Sequence, residues 1–146
     1  MFKFSLEAVL KHRKIRETNA ARALAEVTAR LRLIEDKLRS LQQLQQDEEA
    51  LSQVALNKGV LVAEMELYRF REVKLIHEVA ELARQAEEAE RERSHKEKAL
   101  LECIKDRRLL ERVREEHFLI YKEENEKLER RELDEIAIVR AARLEK

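Results

Sequence analysis

A chain of 146 residues with no Pro, no Trp and a single Gly lacks the turn residues with which a compact globule of this length folds back on itself. Its 31 basic and 31 acidic residues cancel, which removes any global attraction to nucleic acid or to anionic lipid. An apolar content of 44% at zero net charge excludes a plain disordered chain, and the abundant Ala, Leu, Glu, Lys and Arg are strong helix formers. The lone Cys103 suits a reducing compartment. No apolar run approaches the roughly 20 residues of a membrane span, and the start carries no uninterrupted apolar stretch of signal-peptide type. A cytoplasmic protein is expected, with no direct membrane insertion and no nucleic acid partner.

Helical spacing begins at once. Ser5 stands where a cap belongs, and Phe4, Leu6, Val9 and Leu10 make the first two turns apolar. Up to Arg32, eight Lys and Arg face only Glu7, Glu17 and Glu26. This mildly positive end is either a solvated helix face or a surface for an acidic protein. An alanine-rich stretch, Ala20 to Ala29, leads into Leu24, Val27, Leu31, Ile34, Leu38 and Leu41, whose alternating steps of 3 and 4 are those of a coiled-coil seam. The register runs on through Gln45 and Glu48, where the seam turns polar; Leu44 and Leu51 lie beside it as apolar substitutes.

Asn57-Lys58-Gly59 combines the two turn signals that no other segment carries together. The fold expected is all-α: a long antiparallel two-helix coiled coil, a single domain over 1–146, with helix one at about 5–56, a bend at about 57–59 and a longer helix two at about 60–143. The rival is one unbroken helix of about 220 Å, which needs a partner chain along its whole length. In helix two, Leu67, Phe70, Lys74, His77 and Ala80 keep heptad steps with Val73 and Ile76 beside them. Residues 84–98 are charged, with Ala86 and Ala89 as the only apolar members, and apolar positions return from Leu100 to Ile120.

A bend centred near 58 pairs residue i with roughly 116 − i. The charged stretch 84–98 then faces the alanines of 18–32, a contact that buries little area. Amide exchange is expected to be faster there than around Leu38 and Leu41. Beyond about residue 112 helix two outruns helix one, which places Phe118 and Tyr121 beyond its reach. The final thirty-odd residues then need a partner from outside the chain.

No enzyme site emerges. No Gly-rich phosphate loop is present, His12, His77, His95 and His117 are scattered with no i,i+4 metal pair, and carboxylates are too common to single out. The reading is of a non-enzyme without cofactor or metal, working by helix-to-helix contact along exposed apolar stripes. The candidate contacts are Phe4, Leu6, Val9 and Leu10 at the start, Tyr68, Phe70 and Val73 past the bend, and Phe118, Ile120, Tyr121 and Ile136 on the overhang. Packing within the hairpin is the alternative for each.

Two segments resemble a known family. Phe4, Leu6, the Val9-Leu10 pair, and Arg13 and Glu17 one turn apart are similar to the N-terminal pattern of the FliJ family, coiled-coil proteins of the bacterial flagellar export apparatus. The closing ERRELDEIAIVRAARLEK resembles that family's last segment, with Leu133, Asp134 and Glu135 followed by Arg140 and Arg143. The resemblance implies an antiparallel two-helix rod like the central stalk of rotary ATPases, monomeric in isolation, cytoplasmic and peripheral to the inner membrane at the flagellar base. It implies three partners: the hexameric export ATPase, whose ring assembly and activity it promotes; the cytoplasmic domain of the membrane export gate; and export chaperones. By this reading the first helix up to about Arg30, with Arg13, and the overhang, with Leu133, Ile136 and Arg140, enter the ring. Leu38, Leu41 and Tyr68 to Ile76 meet the gate. The segment LQQLQQDEEAL lacks the aromatics some members carry there, which shifts that contact toward Tyr68 or Phe70. The rival functions are the equivalent stalk of a virulence secretion system and a generic coiled-coil scaffold.

Overall fold

The structure, a computed structural model, describes Met1–Glu145. Lys146, the last residue of the closing segment read above, lies outside the described residues. The chain is all-α, an antiparallel hairpin of α1 (Glu7–Lys58) and the longer α2 (Val62–Leu144).

Asn57 and Lys58, assigned to the bend by the sequence reading, are the last residues of α1, and the chain reverses over Gly59, Val60 and Leu61. Gly59 has φ 82°, the left-handed conformation that ends helices and that glycine adopts without steric penalty. Its N–H donates to the Leu56 carbonyl at 3.3 Å, and Leu61 O accepts the first N–H groups of α2, from Glu64 and Met65. At the other end of α1, the first bond runs from Glu7 N–H to Phe4 O. Among the described residues Ser5 makes no capping bond.

Two units divide the chain: Met1–Thr18 with Leu101–Lys146, and Asn19–Leu100. In the second unit Val27, Leu31, Leu75 and Ala89 are the buried apolar residues. The α1 seam passes from Leu24 through Val27, Leu31, Ile34, Leu38 and Leu41 to Gln45, Glu48 and Ser52 in unbroken heptad steps. Leu44 and Leu51 do not take over; both stay exposed.

The α2 seam differs from the one expected. Its less exposed positions are Met65, Tyr68, Leu75, Val79, Leu82, Ala86 and Ala89, while Leu67, Phe70, Val73 and Ile76 face solvent, as do Lys74, His77 and Ala80. Both rows satisfy a heptad over a few turns. Only the Met65 row continues without a break through the charged stretch, by way of the two alanines, and helix pairing selects the row that can be buried along the greatest length.

Cross-helix pairs fix the register. Arg30 bonds Glu92 and Arg71 approaches Glu48 in one unit; Glu7 pairs with Arg114, Glu17 with Arg107 and Arg13 with Asp106 in the other. The two numbers of each pair add to 119–124, so residue i faces roughly 121 − i, about five residues off the register expected. The centre of the turn at Val60 accounts for the shift. The charged stretch consequently meets residues of about 23–37. Ala89 comes opposite Leu31 and Arg93 opposite Val27, a small side chain against a large one and an aliphatic stem against a branched one. Val27 and Leu31 are more buried than Leu38 and Leu41, the reverse of the order of firmness expected.

Candidate protein-interaction surfaces

The Met1–Thr18 and Leu101–Lys146 unit is held at one end by a small aromatic and aliphatic core. Phe4, Leu10 and Leu110 are buried together, with Phe2 and Val113 packed against them, and Leu10 is only 2% exposed. The non-helical residues before Glu7 lie along α2. The Phe2 ring meets Phe118 edge-on at 5.3 Å and Tyr121 at 5.4 Å, with the Arg114 guanidinium 5.9 Å from its centroid, distances typical of aromatic and cation–π contacts. Phe4 stands 5.6 Å from the His117 ring, also edge-on. Phe118 and Tyr121 are therefore reached not by α1 but by the non-helical segment before it, which the expectation did not consider. In the sequence, only its spacing of two from Phe4 marks Phe2.

Charged groups follow the core along the same seam. Arg13 Nη1 donates to Asp106 O at 2.8 Å, Arg107 bonds both Glu17 and Glu111, and Arg114 Nε donates to Glu7 Oε2 at 3.0 Å. The Glu17 carboxylate, then Glu111, raises the Arg107 pKa above its ordinary value. Hydrogen bonds from the chain's amino terminus and then Asn125 lower that of Tyr121. Arg13 and Glu17 thus hold the two helices together in the structure, and Phe4 and Leu10 are core.

The remaining candidates are exposed in different degrees. Leu6 and Val9 border the core with partly open side chains; Phe118, Ile120, Leu133, Ile136 and Arg140 are exposed, and Tyr121 is half-buried. After Tyr121 every described residue of α2 is exposed, Leu128, Ile138 and Val139 included. Among the described residues no ion pair forms within Lys122–Leu144. The stretch of α2 left wholly exposed among the described residues starts after Tyr121, not near 112.

In the Asn19–Leu100 unit, Leu38, Leu41 and Tyr68 are half-buried seam residues, and Phe70 (68% exposed) and Val73 lie on the outer face of α2. Near the turn a cavity of about 260 Å³ opens between the helices. Gln45, Glu48, Ser52 and Leu56 line it from α1, Met65, Tyr68, Arg69 and Glu72 from α2. It marks where the polar α1 seam meets α2 without a close fit.

Among the described residues no His, Cys, Asp and Glu cluster can hold a metal ion and no helix is long and apolar enough to cross a membrane. Cys103 is half-buried and unpaired. The exposed apolar surfaces include the overhang and the outer face of α2 that bears Phe70.

Comparison with curated proteins and with solved structures returns no match. The family model described as "Flagellar FliJ protein" matches residues 2–146. With that match over nearly the whole chain, and with the unequal antiparallel hairpin the family resemblance implied, the chain belongs to the FliJ family of non-catalytic stalk proteins of flagellar export.

Proposed function

We propose that this protein is the stalk and chaperone escort of a flagellar export complex, working as one coiled-coil domain and monomeric in isolation. Its overhang and the paired terminal residues beside it enter the hexameric export ATPase and promote ring assembly and activity. The outer face bearing Phe70 and Val73, with the neighbouring Tyr68, Leu38 and Leu41, meets the cytoplasmic domain of the export gate. Export chaperones are handed on by the same protein, at the inner membrane of the flagellar base.

The observation that supports this best is the overhang itself. Leu128, Leu133, Ile136 and Val139 are exposed on a part of α2 that no other described residue covers, and helices draw most of their stability from packing. Family membership gives that free helix its context, a part in flagellar export in general. The outer face fits the gate reading because Phe70 and Val73 are not spent on the seam.

The deciding experiment measures capture of the purified export ATPase by this protein, together with ATP hydrolysis and ring formation in its presence and absence. Binding with a rise in both supports the stalk. No capture and no change in either removes it and leaves a generic scaffold. A Phe70→Ala, Val73→Ala variant is expected to keep ATPase capture and lose capture of the gate domain.

A further inference from the structure

The residues before α1 make an unusual attachment. Met1–Leu6 is non-helical, and its position on α2 is set by two aromatic side chains, with the amino terminus on the Tyr121 hydroxyl. Phe2 touches Phe118, Tyr121 and Arg114; Phe4 touches His117 and the Leu10–Leu110 core. Apart from the amino terminus, which hydrogen-bonds the Tyr121 hydroxyl, none of its backbone groups bonds to α2 among the described residues: the bonds from Glu7 N–H to Phe4 O and from Leu10 N–H to Leu6 O only start α1. Phe2 is half-buried, and Lys3 and Ser5 between the contacts face solvent. A hollow lined by Phe2, Lys3, His117, Ile120, Tyr121 and Glu124 lies beside it, so the strap does not fill the face it covers. Phe118 and Ile120 stay about half exposed beneath it. The covered face does not stop there: the heptad line through Leu110, His117 and Tyr121 continues into Leu128 on the overhang.

We propose that the Met1–Leu6 strap is a displaceable occupant of the Val113–Tyr121 face of α2, holding the place of the partner that engages the overhang. The proposal rests on the reading that the overhang binds the export ATPase. A partner laid on Leu128 and Ile136 can extend its contact toward Leu110 only where Phe2 lifts away. Opening then makes a continuous apolar track from the overhang to the hairpin, and the strap sets how readily that track becomes available. The apparent affinity of a site that must first open is reduced by the fraction of molecules in which it is open.

The test locks the strap. In a Cys103→Ser background, Phe2→Cys and Phe118→Cys are joined by a short bifunctional thiol reagent and compared with the same protein capped at both thiols by a monofunctional one. The locked form is expected to bind the export ATPase at least tenfold more weakly than the capped form. Phe2→Ala, which leaves Phe4, Leu10 and Leu110 in place, is expected to bind several-fold more tightly than wild type. A third reading needs no altered affinity: the single Phe2→Cys thiol is labelled faster when the ATPase is present. Equal binding of locked and capped proteins, or labelling that slows on adding the ATPase, overturns the strap while leaving the stalk intact. A wild-type protein that fails to bind the ATPase sinks both.

Discussion

Gly59 illustrates how one residue fixes the turn. An added Cβ there meets nothing within 4 Å, so the demand on the position is conformational and comes from φ +82° alone. Gly59→Ala is expected to destabilise the hairpin by about 1 kcal/mol, the cost of a left-handed alanine, as a lower midpoint in urea with an unchanged slope. Leu10 offers the opposite case, a side chain whose value is all packing. At 2% exposed, Leu10→Ala is expected to cost about 2–3 kcal/mol, the low end of the range for buried leucines because the core around it is small. That a turn lies near Gly59 is legible in sequence, since one glycine in a proline-free chain has few other uses. The role of Phe4 and Leu10 is not legible in the same way. An exposed docking stripe and an internal core demand the same residues at the same spacing, and only the partner's position separates them.

At the scale of elements, α1 was readable and α2 was not. One row of α1 carries Leu24, Val27, Leu31, Ile34, Leu38 and Leu41 in unbroken heptad steps, whereas α2 offers two rows, and the row with Leu67 and Phe70 looks richer until it reaches the charged stretch. That stretch holds itself together along its own helix. Arg84 bonds Glu81 and Glu88, and Arg93 bonds Glu90 and Glu97, as i,i+3 and i,i+4 neighbours. The hydrogen bond from Arg84 lowers the Glu81 carboxyl pKa below its ordinary value, and that from Arg93 does the same for Glu90. A carboxyl depressed in the folded state contributes stability that is present above its ordinary pKa and is lost as the pH falls through the lowered one. Amide protection between Glu81 and Glu97 is therefore expected to hold at neutral pH and to decline once the pH drops below about 4.5, with little change at Leu10 or Leu110. Because these pairs are exposed, 1 M salt is expected to act in the same direction at pH 7. Amide exchange followed by NMR separates the segments. It also checks the revised order of firmness, with Val27 and Leu31 exchanging more slowly than Leu38 and Leu41.

At the scale of the molecule, the large apolar residues of the described chain lie mostly at the surface. This surplus lies on the outer face of α1, with Leu33, Leu44 and Leu51, on that of α2, and on the overhang. A sequence shows that surplus as an excess of spacing-compatible apolar positions; it does not show where helix pairing ends, because that depends on the register, which a turn centred two residues later moves by four. The register observed makes a sharp claim about the overhang. Lys122–Leu144 forms no ion pair and is covered by nothing among the described residues. Its helix thus rests on local propensity, which is marginal for an isolated segment of this length. Ending the chain after Asn125 is expected to leave the unfolding midpoint of the hairpin unchanged within about 0.5 kcal/mol. The helical circular dichroism signal should fall by less than the number of residues removed would require, because the overhang frays in the free protein. Binding to the export ATPase should be lost with it, and adding the ATPase to the full-length protein should slow amide exchange first in Leu128–Val139. A truncated chain that melts earlier by more than about 1 kcal/mol would mean that the overhang is tied to the hairpin and is not held for a partner.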